Sequence, residues 1–224
     1  LSLSTEGPTD QAFLTPIIRR LGEQFVQAYI SAENLELDVV LAGVRDLYTL
    51  GTGFSGDIYA RLKGAAVIGV QTHELIFIHG DGAGDWKAAE TNVLEPKIKA
   101  IASVLSCEVR FSRIIPVREM EAWAVADGDA IRRAYKVTLD NARLGIVSPA
   151  RRVETIADPK RSLRDIGELC LGKRRSKKLG VTVFLSLIAE HLSFQRLLDV
   201  PSFRRFYEES DSAFHDLMAH VAEE

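Results

Sequence analysis

Leu75-Ile76-Phe77-Ile78-His79-Gly80-Asp81-Gly82-Ala83-Gly84-Asp85 is the stretch on which the fold turns. An apolar run leads straight into a glycine-rich, acidic turn. A short continuous apolar run bounded by glycine predicts a buried strand, most often in a parallel sheet. From Trp86 to about Leu105 the apolar spacing is helical. Asp81 and Asp85 are therefore expected at the carboxyl end of a central strand, just before a helix, where open α/β sheets hold their ligands. Two carboxylates in a tight loop repel unless something positive lies between them. A hard divalent cation such as Mg²⁺, which takes carboxylate oxygens and water, suits that place. The plainer reading is a solvated turn in which an aspartate caps the next helix.

Working outward, Leu1 to Thr5 predicts a first strand that ends at Glu6-Gly7-Pro8-Thr9-Asp10. Gly7 and Pro8 make a turn, and Thr9 or Asp10 caps a helix. Phe13, Leu14, Ile17, Ile18 and Leu21 form its buried face. Leu35 to Val44 predicts the second strand, Glu74 to Gly80 the third and Val109 to Val117 the fourth. Gly51-Thr52-Gly53-Phe54-Ser55-Gly56 precedes a helix from about Asp57 to Val70. Its G-x-G-x-x-G spacing suits a phosphate on backbone amides and a helix N-terminus. The polar segment 45–50, however, separates the glycines from the strand that a dinucleotide fingerprint requires, so a loop near the acidic rim is the better reading. Pro116 closes the fourth strand, and Glu119 and Glu121 follow at a helix start, where the dipole favours negative charge. Residues two apart on a helix do not share a face. One or both of these glutamates complete an acidic cluster with Glu6 and Asp81, and the sequence leaves open which.

Strand and helix alternate four times, which predicts an α/β fold with a mainly parallel four-stranded sheet and helices on both faces. From about residue 130 the pattern turns helical, at 131–135, 163–171, 183–198 and 203–221, with Val181 to Phe184 open between strand and helix. Residues 1–130 thus read as an α/β domain and 131–224 as a helical extension packed on it.

The net charge of −3 hides an asymmetry. Residues 143–178 hold eleven Lys/Arg against four Asp/Glu, a balance of +7 that leaves −10 for the rest. An acidic body with a basic segment suits a cation centre beside a polyanion-binding surface. The basic run Lys173-Arg174-Arg175-Ser176-Lys177-Lys178 lies in that segment, and its bland reading is a solvated helix face. The 46% hydrophobic content is that of a globular core, and no apolar run approaches the roughly 20 residues of a membrane span. Cys107 and Cys170 lack metal or disulfide spacing, and a reducing cytoplasm is the expected setting. No two of His73, His79, His191, His215 and His220 have the i, i+4 spacing of a zinc-protease helix, and no G-x-S-x-G elbow occurs. His79 reads as a core or rim histidine, and Trp123 as core.

Glu6-Gly7-Pro8-Thr9-Asp10 resembles the EGxTD opening of TOPRIM domains, the domains of topoisomerases, primases, OLD-family nucleases and bacterial defence proteins. The family's second motif is a D-x-D at the end of its third strand. Asp81 matches the first aspartate, Ala83 stands at the second, and Asp85 follows two positions on. Pro116-Val117-Arg118-Glu119-Met120-Glu121-Ala122-Trp123 is similar to a P-x-x-E-x-E-A-W signature of a bacterial TOPRIM-like branch. The resemblance covers roughly residues 1–130.

What the resemblance implies is metal-dependent phosphodiester hydrolysis on DNA or RNA. Glu6, Asp81, Asp85, Glu119 and Glu121 would hold Mg²⁺ or Mn²⁺, with Asp85 in place of the missing second aspartate. Glu6, Asp81 and Glu119 would carry the catalysis, with Glu6 a ligand or the general base. Lys173, Arg174, Arg175, Lys177 and Lys178 would bind the phosphate backbone without reading bases. Such domains are commonly paired with an ATPase, and this chain has no G-x-x-x-x-G-K-[ST] loop, so a separate ATPase partner and a role in bacterial or phage defence are implied. The alternatives are a non-catalytic TOPRIM-like module that binds nucleic acid or protein, and a nucleotide-binding protein that uses Gly51 to Gly56.

Overall fold

The computed structural model describes residues 1–32, 43–70, 74–107 and 109–222. Its α/β half runs β1 (Ser2–Ser4), α1 (Pro8–Ala32), β2 (Arg45–Asp46), α2 (Leu47–Gly51), α3 (Ile58–Gly69), β3 (Glu74–His79), α4 (Trp86–Ala89), a π-helical turn over Glu90–Leu94, α5 (Glu95–Ala102) and β4 (Val109–Ile114). The rest is helical: α6 (Glu121–Ala124), α7 (Gly128–Tyr135), α8 (Asn141–Leu144), a 3₁₀ turn over Ala150–Thr155, α9 (Pro159–Leu171), α10 (Lys173–His191), α11 (Phe194–Leu197) and α12 (Pro201–Ala222). The four strands form one all-parallel sheet in the order β2-β1-β3-β4.

Every residue of β3 is buried, as its unbroken apolar run predicts for an inner strand. Side chains alternate across a strand. Ile76 and Ile78 enter a smaller core with Leu62, Ala66, Leu94 and Ile101 from α3, the π turn and α5. Leu75 and Phe77 enter a larger core with Leu14, Ile17, Trp123, Ile188, Phe203 and Phe206. That core joins α1 and the C-terminal helices to the sheet. His79 has the parity of Leu75 and Phe77, so it emerges on the α1 side.

The expected strand over Leu35–Val44 falls mostly outside the described residues, and Gly43 and Val44 carry no strand. The second strand that pairs in the sheet is Arg45–Asp46, inside the segment read as irregular. The Arg45 N–H donates to the Leu1 carbonyl at 2.9 Å, and the Asp46 carboxylate then accepts from the Tyr48 and Thr49 N–H groups and starts α2. Two polar residues with separate local duties leave no apolar pattern to read. The helix expected from Trp86 to about Leu105 runs only to Ala102, one continuous path broken in hydrogen bonding. Pro96 has no N–H to give to the carbonyl of Asn92, and the wider turn falls over those residues. Val181–Phe184 is helical, within α10.

Trp123 is fully buried, as its core reading requires. Its ring lies 5.8 Å from Phe206, nearly parallel, and 5.1 Å from Phe203, edge on. Its indole N–H donates to Ser202 Oγ at 2.8 Å. Among the described residues no helix is long and apolar enough to cross a membrane, and Cys170 is a free thiol.

Candidate functional site

The loop after β3 is laid against the segment that follows β4. The N–H groups of Gly80, Gly82 and Gly84 donate to the carbonyls of Ile114 (3.1 Å), Pro116 (3.0 Å) and Val117 (2.7 Å). A Cβ at Gly82 would collide with the Pro116 and Val117 oxygens, so only glycine permits this approach. Ala83 and Gly84 both have positive φ, 47° and 94°. This pairing sets Asp81 within electrostatic reach of Glu121, while β1 beside β3 brings in Glu6 and the first turn of α1.

Asp81 is the electrostatic focus. Burial and the charges of Asp10, Glu6 and Glu121 push its carboxyl up to about 7, against partial relief from Lys160. Asp10, in the first turn of α1, is also raised, by burial first and then by Glu6, with His79, Lys160 and the Gly7 backbone opposing. Glu121, 2% exposed, is raised by burial, with Glu119 and Asp10 adding to it and Lys160 opposing. Carboxyls that follow β1 and β3 and that open α1 and α6 therefore meet on one rim of the sheet, and those of Asp10, Asp81 and Glu121 are harder to ionise than in water.

Two lysines enter this rim. Lys97, 7% exposed, donates from Nζ to Glu6 Oε1 and to the His79 carbonyl, both at 3.3 Å. Lys160 of α9 lies 3.0 Å from Glu119 Oε1. Burial works against its ammonium, but the hydrogen bond to Glu119 and the charges of Glu121, Glu119 and Asp81 outweigh it and raise its pKa. Glu119 and Glu121 both approach Lys160 because α6 begins only at Glu121. Glu119 stands before the helix, and the rule that neighbours two apart face different ways does not apply. Glu119 Oε2 is buried without a hydrogen-bond partner.

His79 completes the inner wall. It is wholly buried, and its Nδ1 lies 3.1 Å from the Ile114 carbonyl. Its Nε2 has no hydrogen-bond partner, and it stands 3.6 Å from Asp81 Oδ1 and 3.9 Å from Asp10 Oδ2.

Asp85 is turned to another task. Its Oδ1 accepts from the Ala88 N–H at 3.0 Å and caps α4. It is not among the charges that act most on Asp81. Replacing Asp85 with Ser, which also caps, should preserve both stability and any divalent-cation effect. Asp85→Ala should cost about 1 kcal/mol of stability and nothing else. Loss of cation response in the Ser variant, read by thermal melting, would restore Asp85 to the site.

Lys173, Arg174, Arg175, Lys177 and Lys178 are exposed on the first turns of α10. The helix kinks at Gly180 (φ 75°), and Thr182 just beyond it meets Thr9, beside Asp10, at 3.2 Å between hydroxyl oxygens. The chain thus leaves the acidic rim at Lys160 and returns to it at Thr182, with the basic run between. At the glycine-rich segment, Gly51 is the last residue of α2, and the N-terminus of α3 already holds the Asp57 carboxylate, which accepts from the Ala60 N–H at 2.8 Å. An anion at that helix end would face another anion.

The chain matches no family model, no curated protein and no solved structure.

Among the described residues no group of three or more His, Cys, Asp or Glu already stands in a metal-holding arrangement. The donor chemistry nonetheless suits a cation. His79 Nε2 is a buried, unpartnered atom facing two carboxylates, and because neighbouring ligands of an ion with bonds of about 2.1 Å lie roughly 3.0–3.4 Å apart, the carboxylates at 3.6 Å and 3.9 Å would have to close on it. Sequence reasoning passed over Asp10, His79, Lys97 and Lys160 as site residues. Lys97 had a signal: with Leu94 and Ile101 it follows helical spacing on a buried face, where a lysine needs a partner. Lys160 had none.

Proposed function

We propose that the chain is a TOPRIM-like nuclease that hydrolyses phosphodiester bonds in DNA or RNA with a divalent cation, Mg²⁺ or Mn²⁺. The observation that carries this reading is the gathering of Asp81, Asp10, Glu6 and Glu121 at one edge of the sheet, close enough for their charges to raise the Asp81 carboxyl. A protein that gathers carboxyls at the ligand-binding edge of a parallel sheet, against their mutual repulsion, has a use for a positive charge there. Asp81 and Asp10 would hold the cation with Glu121 behind them, and Glu6 and Glu119 would flank it. When bound, the cation would neutralise phosphate charge and make water a better nucleophile.

The chain's own residues supply the rest. Lys97 holds the Glu6 carboxylate in place at the rim, where Glu6 is 42% exposed and accessible to water as a base. Lys160, kept protonated by its acidic neighbours, stands ready to offset charge on a phosphate oxygen. Lys173, Arg174, Arg175, Lys177 and Lys178 would steer the backbone toward the rim with a salt-sensitive, sequence-independent attraction. A separate ATPase partner and a part in bacterial defence accord with this reading and rest on the TOPRIM resemblance.

A second reading, a non-catalytic nucleic-acid or protein-binding module, is favoured by one fact: Lys97 and Lys160 already neutralise Glu6 and Glu119. Incubation of plasmid DNA and of single-stranded RNA with the protein and Mn²⁺ or Mg²⁺ separates the two. The nuclease reading expects cleavage that is lost in Glu6→Gln and in Asp81→Asn. Cleavage unchanged in both variants overturns the assigned site, and cleavage absent from pure wild-type protein that still binds nucleic acid favours the module.

A further inference from the structure

Among the described residues of the rim, His79 carries a buried ring nitrogen without a hydrogen-bond partner. The Ile114 carbonyl can only accept, so the 3.1 Å contact places the ring hydrogen on Nδ1 and leaves the lone pair on Nε2. Full burial disfavours the imidazolium, with Asp10 and the Ile114 carbonyl pulling the other way. Nε2 then presents a lone pair to the Asp81 and Asp10 oxygens, 3.6 Å and 3.9 Å away, with no donor to satisfy it. For a core histidine that is an unmet group. For a metal ligand it is the usual arrangement: one ring nitrogen fixed by a backbone carbonyl, the other free for the ion.

We propose that His79 Nε2 is a direct ligand of the cation held by Asp10 and Asp81, and that this nitrogen selects Mn²⁺, Co²⁺ or Zn²⁺ over Mg²⁺. The inference rests on the divalent-cation reading above and narrows it. Magnesium takes oxygen ligands almost exclusively, whereas imidazole suits transition ions. A site of one imidazole and two carboxylates is therefore biased toward the second group. His79 is fixed by its strand and by Ile114. Asp10 and Asp81 are 20% and 33% exposed and are the members with room to close on an ion.

The test uses the full chain, metal-free and then loaded with Mn²⁺, with its histidines labelled with ¹⁵N. Pulsed electron paramagnetic resonance should show one histidine nitrogen coupled to the manganese. His79→Asn keeps an amide N–H near the Ile114 carbonyl but places no donor at Nε2. It should abolish the coupling and weaken Mn²⁺ binding by about tenfold or more, the scale seen when even an outer partner of a metal ligand is lost. Its affinity for Mg²⁺, read by calorimetry, should change by less than about threefold. Circular dichroism and the melting curve of the metal-free variant check that it folds. Should it not fold, the wild-type coupling and the ratio of Mn²⁺ to Mg²⁺ affinity decide alone. Manganese bound without nitrogen coupling, or equal affinity for the two ions, overturns the role of His79 and leaves the cation reading standing. No binding of any divalent cation by wild-type protein overturns both.

Discussion

Asp81→Asn should make the metal-free protein more stable while it removes the cation response. The Asp81 carboxyl is pushed from an ordinary 3.8 to about 7. Below about pH 4 the folded and unfolded chains both hold this proton. Between about 4 and 7 the folded chain keeps a proton that the unfolded chain has released, so stability declines as pH rises through that window and levels off above it. Asp10 and Glu121, also raised, act in the same direction. The Asp81 side chain is 33% exposed, so solvent screening cuts the effect to the order of 1–2 kcal/mol, or about 5 °C in Tm at pH 8. Thermal melts without divalent ions should show wild-type protein losing Tm from pH 5 to 8 and Asp81→Asn losing much less. Added Mn²⁺ should recover the wild type and leave the variant unmoved. A wild-type Tm that does not fall from pH 5 to 8 would remove the electrostatic argument for the site.

The largest effect on stability is expected at Trp123. Trp123→Ala removes a fully buried indole from between Phe203 and Phe206 and deprives Ser202 Oγ of its donor. Truncations of this kind cost about 3–5 kcal/mol, a large part of the roughly 5–15 kcal/mol that holds a domain folded. Trp123→Phe keeps most of the ring contact and loses the hydrogen bond, for about 1–2 kcal/mol. Denaturant unfolding distinguishes the two, and a loss below 1 kcal/mol for the alanine variant would mean that the core closes around the gap.

The parts of the fold legible in the sequence were those with local causes. The apolar run of β3 and its glycine exit needed no partner to be recognised, and Asp81 came with them. Glu6 and Glu121 stood in motifs short enough to quote. Asp10 lay in the same motif as Glu6, but its place in the first turn of α1 offered capping as a sufficient explanation. Asp85 shows the reverse: two positive-φ residues, Ala83 and Gly84, aim it at the Ala88 N–H, and nothing in its spacing from Asp81 revealed that aim. Arg45 and Asp46 gave no sign of a strand because they are polar and extended for only two residues. Lys160 depends on how α9 docks beside α6, a tertiary fact with no periodicity behind it.

The pairing of Lys160 with Glu119 bears on how freely the α/β half could be exchanged between proteins. A boundary drawn at residue 130 runs between the carboxyls and one of the two cations that moderate them. The indole of Trp123 lies on the near side of that cut and its aromatic bed on the far side. A graft of the first 130 residues would carry the acids without their counterweight and expose the floor on which they stand, so what travels as an intact cassette has to include the later helices.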